Sequence, residues 1–236
     1  MGERTGISWT QHSWNPWHGC ARVSPGCDHC YMFADKIKYG QDPKTVVRSK
    51  TTFEAPLKWK DPARVFTCSW SDFFIAQADD WREDAWNVIR FTPHLTYQIL
   101  TKRPARIAAH LPHDWPLDNV WLGVSIESPT YLYRADVLRG IPAALRFLSL
   151  EPLLDDVAAG LNLNGIGWVI VGGESGANRR PFSLVWLERI AAVCDAAGVP
   201  LFVKQDAAFK PGQQGRIPDA LWRHEFPAVP RPRGNP

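Results

Sequence analysis

Six short apolar runs, separated by amphipathic or polar stretches, restrict the fold more than any other feature of the sequence. They are residues 64–69 (RVFTCS), 96–101 (TYQILT), 119–126 (NVWLGVSI), 145–150 (LRFLSL), 167–171 (GWVIV) and 200–204 (PLFVK). Each is short and apolar almost throughout, the pattern of a strand buried on both faces. Helical spacing fills the intervals. Residues 79–91 repeat Trp81, Ala85, Val88 and Ile89, and residues 130–139 follow a Ser-Pro start. Residues 183–197 begin at a serine cap and repeat Leu184, Leu187, Ile190, Ala191 and Cys194. Strand alternating with helix predicts an α/β fold with a parallel sheet, a partial or closed (β/α) barrel of TIM-like type. One domain is expected over residues 1–210, with residues 6–10 (GISWT) as a weaker first strand. The proline- and glycine-rich residues 211–236 read as an extended strap with a loosely held end.

Polar residues collect where the runs end: Ser71 and Asp72, Lys102 and Arg103, Ser125 and Glu127, Glu151, Glu174, then Lys204 and Gln205. In parallel α/β folds ligands bind at the carboxyl ends of the strands, so one site on that rim is expected. Gly172 and Gly173 precede Glu174 and would let backbone approach a ligand, or would simply form a tight strand-to-loop turn. Glu174 is expected to contact a ligand, with Arg179 and Arg180 as its other available partners. Glu151 would bind a ribose hydroxyl or pair with Lys204.

Ahead of these runs, Cys20, Cys27 and Cys30 fall in one loop as C-x6-C-x2-C, with the turn-forming Ser24-Pro25-Gly26 between them. Thiols gathered this closely are commoner as metal ligands than as a disulfide framework when nothing marks the chain as secreted. Three readings follow: three ligands of a four-iron cluster with one iron left open, a zinc site closed by His18, His12 or His29, or an uncommitted cluster of thiols. The chain opens on polar and aromatic residues and has no run of 18 apolar residues, so a cytoplasmic protein without membrane spans is expected. Its net charge of +3 admits a nucleic-acid partner without demanding one.

The loop, placed after a first strand and before a helix starting at Tyr31-Met32-Phe33-Ala34, resembles the cluster loop of the radical S-adenosylmethionine (SAM) superfamily, whose usual spacing is C-x3-C-x2-C. Cys27-Asp28-His29-Cys30-Tyr31 is similar to the motif of spore photoproduct lyase and its relatives. Cys68-Ser69-Trp70-Ser71-Asp72, Thr101-Lys102 and Ser125-Ile126 are similar to strand ends in that lyase. Over its whole length the chain resembles a phage and bacterial family with a three-cysteine motif. The landmarks are Trp14-Asn15-Pro16, Ser24-Pro25-Gly26-Cys27, Leu150-Glu151-Pro152-Leu153, Gly172-Gly173-Glu174-Ser175-Gly176 and Val203-Lys204-Gln205.

The resemblance implies a 4Fe-4S cluster on Cys20, Cys27 and Cys30, and SAM among Ser71, Asp72, Lys102, Ser125, Glu127, Glu151, Gly172, Gly173 and Glu174. It implies catalytic roles for Cys68, as hydrogen-atom donor, and for Tyr31. On its own, Cys68 reads as a small buried strand residue. The implied activity is reductive cleavage of SAM to a deoxyadenosyl radical acting on a substrate, with a nucleic-acid base as the leading class. An electron-donor protein and a partner protein encoded nearby would go with it. Arg103, Arg106, Arg179, Arg180 and Lys210 could meet phosphates. The competing expectation is a non-catalytic zinc- or cluster-binding module that contacts nucleic acid or a protein.

Overall fold

A computed structural model describes residues 5–228. The first strand, β1 (His12–Trp14), leads through β2 (Trp17–His18) into the cysteine loop, after which come α1 (Tyr31–Lys38) and β3 (Val47–Arg48). Then follow β4 (Ala63–Thr67), α2 (Asp79–Arg90), β5 (Leu95–Thr101) and β6 (Val120–Ser125). The chain continues as α3 (Tyr133–Arg139), β7 (Leu145–Leu150), β8 (Trp168–Gly172), α4 (Leu184–Ala197) and β9 (Leu201–Gln205). The main strand order is β1-β4-β5-β6-β7-β8-β9, and β2 pairs with β3 in a separate antiparallel ribbon. This order follows the chain without reversal, as in (β/α) barrels and unlike doubly wound sheets. β1 and β9 each have one neighbour in it, so the sheet is open and the barrel partial.

The six apolar runs all became strands, with ends shifted by at most two residues. Residues 6–10 did not. They form turns, and the first strand is the three-residue β1, paired in parallel with β4. The glycine and the short polar spacing at residues 6–10 favour turns, while His12–Trp14 is held by register with Val65–Thr67.

Contacts divide the chain into two compact units, one reaching Leu122 and including Ile141–Ala144, the other comprising Gly123–Gly140 and Leu145–Val229. In the first, the buried face of the strands carries Trp14, Val65, Tyr97 and Ile99, with Trp14 edge-on to Tyr97 at 5.5 Å. α2 starts with Asp79 and Asp80 and ends with Arg90, charges that suit its dipole. It buries Arg82, Ala85, Trp86, Val88 and Ile89, with Trp86 edge-on to Phe73 at 4.8 Å; Trp81, expected among the core positions, is only half-buried.

In the second unit the core is built on Phe147, Trp168 and Phe202. Gly123 is required there, since a Cβ would lie 2.4 Å from the Phe147 ring. α4 places Ser183 at its N-cap without a side-chain cap bond, ends on the left-handed Gly198, and buries Cys194 completely. Beyond β9 the chain folds back along that strand, with Val203 donating to the Arg223 carbonyl at 2.8 Å and Glu225 to that of Leu201 at 3.1 Å. This covers backbone groups that an edge strand would leave open. Most of the expected loose end, residues 229–236 of the strap, lies outside the described residues.

Candidate functional site

The cysteine loop is built from backbone contacts. Gly19 has φ +100° and passes so close to residues 45–46 that a Cβ would sit 2.2 Å from the Thr45 carbonyl oxygen. Cys20 donates its amide to Pro43 at 2.9 Å. Ser24-Pro25-Gly26 makes the expected turn as a 3-10 segment (Pro25–Cys27), in which Cys27 donates to Ser24 at 2.9 Å. Cys30 is then the N-cap residue of α1. The three thiols therefore hang from one loop between β2 and α1.

Arg103, just past β5, reaches this loop. Its two terminal nitrogens each lie 3.9 Å from Cys20 Sγ, and one also donates to the Ala21 carbonyl at 2.7 Å. The guanidinium is anchored by Asp72 at 2.9 Å. Asp72 also accepts from the Thr101 hydroxyl at 2.7 Å and from the amides of Phe74 at 2.9 Å and Lys102 at 3.0 Å. With its carboxylate so occupied, Asp72 acts as an anchor between the ends of β4 and β5.

Electrostatics follow from this geometry. Burial pushes the Cys20 thiol up to about 12, opposed by Arg103 and reinforced by Asp72 and the other two thiols of the loop. Cys30 is raised by burial, while the amides of Met32 and Phe33 and the charge of Lys102 favour its thiolate. Cys68 is held well above the usual thiol range by burial and by Asp72.

Cys68 has φ +64°, the left-handed region, where a non-glycine residue is strained. It is pinned by its amide to the Trp14 carbonyl at 2.8 Å and by its carbonyl to the Ser71 amide at 3.2 Å. Around it, Asn15 accepts from the Trp70 amide at 2.8 Å and donates to the Ser69 hydroxyl at 3.0 Å. Ser71 donates its hydroxyl to the Gly19 carbonyl at 2.6 Å, and Tyr31 to the Ser69 carbonyl at 2.6 Å. The turn after β4, the end of β1 and the cysteine loop are thus one hydrogen-bonded body. Asn15 and Arg103 organise it, and the sequence marked them only as a motif member and a strand-end cation.

The donor chemistry of the loop suits a thiolate-bound cation or cluster, with neighbouring cations to offset the charge. Among the described residues, however, no group of three or more His, Cys, Asp or Glu side chains stands in ready metal-binding geometry. The histidines considered for a zinc site have other contacts: His18 Nδ1 lies 2.7 Å from Lys36 Nζ, and His12 stacks on Trp59 at 4.5 Å.

Arg106 is paired with Asp79 at 2.7 Å in the first unit, and Arg179 donates to the Gly176 and Ala207 carbonyls; the carboxylates expected at the rim beyond β6 belong to the second unit and are held in pairs. Glu127 is fully buried and bound to Arg134 at 3.0 Å, and Arg134 also donates to the Ser125 carbonyl at 2.8 Å. Glu151 pairs with Lys204, one of the two expected alternatives. Glu174 pairs with Arg180, whose amide and Nε donate to it at 2.8 and 3.0 Å. Gly172 leaves ordinary contacts with Glu151 and Lys204. Gly173 meets backbone: a Cβ would lie 2.6 Å from the Ala207 nitrogen, so the chain's own close approach demands the glycine.

A family described as "Protein of unknown function (DUF5131)" matches residues 4–225. No curated protein matches the chain. Among solved structures, it is similar to a mutant spore photoproduct lyase with bound AdoMet and dinucleoside spore photoproduct, at 13% identity and a TM-score of 0.47. That similarity covers 78% of this chain and 60% of the lyase chain.

Proposed function

We propose that this chain, which belongs to the DUF5131 family of proteins of unknown function, is an iron–sulfur enzyme that reductively cleaves SAM. The observation that carries the reading is the thiol loop: three cysteines between β2 and α1, within electrostatic reach of one another, with Arg103 against Cys20 and Lys102 near Cys30. Cys20, Cys27 and Cys30 would hold the cluster. A four-iron cluster with one open iron supplies, when bound, one-electron chemistry on SAM.

The chain's own residues supply charge, position and protons. Arg103 sets a fixed cation beside thiolates whose charges repel, and Asp72 keeps it there. Lys102 provides a point charge for the SAM carboxylate. Cys68 keeps its S–H at neutral pH because burial disfavours the thiolate, as a hydrogen-atom donor must. Tyr31 ties the start of α1 to the turn that carries Cys68. The proposed substrate is a nucleic-acid base, and the electron would come from a donor protein.

Anaerobic reconstitution tests this. About four irons and four sulfides per chain are expected, with a brown chromophore. Dithionite and SAM should then yield 5′-deoxyadenosine, and Cys27→Ala should abolish it without changing the far-UV circular dichroism. A colourless protein carrying one zinc, or a loaded cluster that gives no 5′-deoxyadenosine, overturns the reading.

A further inference from the structure

The ribbon that leads into the cysteine loop also borders a groove of about 660 Å³, lined by residues of the 46–58 stretch and by Trp81 of α2. Its floor is the buried Phe53, with the Arg48 guanidinium over the ring 3.9 Å from its centroid. Lys50 and Lys58 line it, both exposed and without an ion pair or side-chain hydrogen bond among the described residues. Its one carboxylate is Glu54; Arg48 is paired with Asp84. Trp81 lines the same groove half-buried and, among the described residues, has no ring contact and no partner for its indole N–H.

We propose that this groove binds single-stranded nucleic acid, with Lys50 and Lys58 on phosphates and the Trp81 ring stacked on a base. Paired cationic and aromatic groups are how proteins hold single strands without reading sequence, since every base has a π-face. An acidic peptide would satisfy the lysines and leave the indole face uncovered, so the free aromatic ring decides between the two. The groove is firmly joined to the thiol loop. Ser49, next to Lys50, donates its hydroxyl to the Asn15 carbonyl at 2.6 Å and its amide to that of Pro16 at 2.8 Å. A strand in the groove would therefore lie on the same hydrogen-bonded body as Cys20 and Cys68. In naming single-stranded nucleic acid as the substrate class, the inference rests on the function proposed above, but binding itself requires no cluster.

The test is fluorescence anisotropy of labelled oligo-dT and oligo-U of about ten nucleotides with the full chain, free of cluster, between 50 and 200 mM salt. Binding that weakens with salt is expected for both. The double variant Lys50→Ala, Lys58→Ala should bind more weakly, with a slope of log K against log salt shallower by about 1.4. Trp81→Leu should weaken binding about tenfold at unchanged salt slope, and Trp81→Phe should restore most of it. Thermal midpoints equal to wild type show that each variant is folded.

No binding, variants equal to wild type, or polyglutamate competing as well as oligonucleotide would each overturn the proposal. Intact binding with no 5′-deoxyadenosine from the loaded protein removes the enzymatic reading and leaves the groove; the opposite pattern removes the groove alone.

Discussion

The Arg103 guanidinium stands 3.9 Å from Cys20 Sγ through both of its terminal nitrogens, across 83 residues of sequence. The contact is indirect in origin. Asp72 holds the guanidinium, and the Ala21 carbonyl fixes its tilt, so the thiol meets a cation already locked in place. Cys20 thus sits between a burial cost that keeps it protonated and a charge that pulls the other way.

Arg103→Met should destabilise the chain by about 3 kcal/mol, because a buried carboxylate loses its cation. Arg103→Lys should recover only part, since an ammonium cannot bridge Asp72, Ala21 and Cys20 together. Urea denaturation measures both. In the Met variant Cys20 should also alkylate several-fold more slowly at alkaline pH, as the cation that most favours its thiolate is gone; an unchanged rate would dismiss the electrostatic contact.

Gly19→Ala places a methyl 2.2 Å from a backbone oxygen at φ +100°, and no flexible side chain can yield. A loss of about 3 kcal/mol is expected. Iron uptake during reconstitution should fall with it, whereas Gly6→Ala, with open space around its Cβ, should change neither.

Gln98 is fully buried on β5, and among the described residues neither of its amide atoms has a hydrogen-bond partner. Replacing an unpaired buried amide by an apolar group of similar shape removes a desolvation cost. Gln98→Leu should therefore gain about 1 kcal/mol and raise the thermal midpoint by about 3 °C. A fall instead would mean that the amide is bonded in solution.

Stability should also decline in alkali. Cys194, fully buried in α4, is pushed up to about 12 by burial and the nearby Asp195, against an ordinary value of 9.0. Between those values the unfolded chain has lost a proton that the folded chain keeps, so stability falls as pH rises from 9 toward 12 and is level below. Cys194→Ala should lower stability at pH 7 by about 1 kcal/mol and flatten the alkaline decline, read from denaturation midpoints at pH 7, 9 and 10.5.

The strands from β4 to β9 were legible because each carries its signal within itself, as an unbroken apolar run. β1 was not. Three residues hold no periodicity, and His12–Trp14 become a strand only because β4 lies beside them. Trp81 misled in the opposite direction: helical spacing marks it as core, yet the buried Arg82 bonds the Phe73 and Ile75 carbonyls and turns the helix so that Trp81 faces the groove. In the site, cysteine spacing announced the thiol loop. The roles of Arg103 and Asn15 depend on partners more than fifty residues away, which no local pattern records.

The backbone twist at Cys68 governs how that position can be interrogated. Glycine adopts φ +64° freely, so Cys68→Gly removes the sulfur while relaxing the turn; valine or threonine would add a branched Cβ where the chain least tolerates one. Serine keeps both the shape and the strain. The serine and glycine replacements, made side by side, therefore separate a need for sulfur from a need for tension: lost turnover in both indicts the missing thiol, and loss in glycine alone indicts the slackened bend.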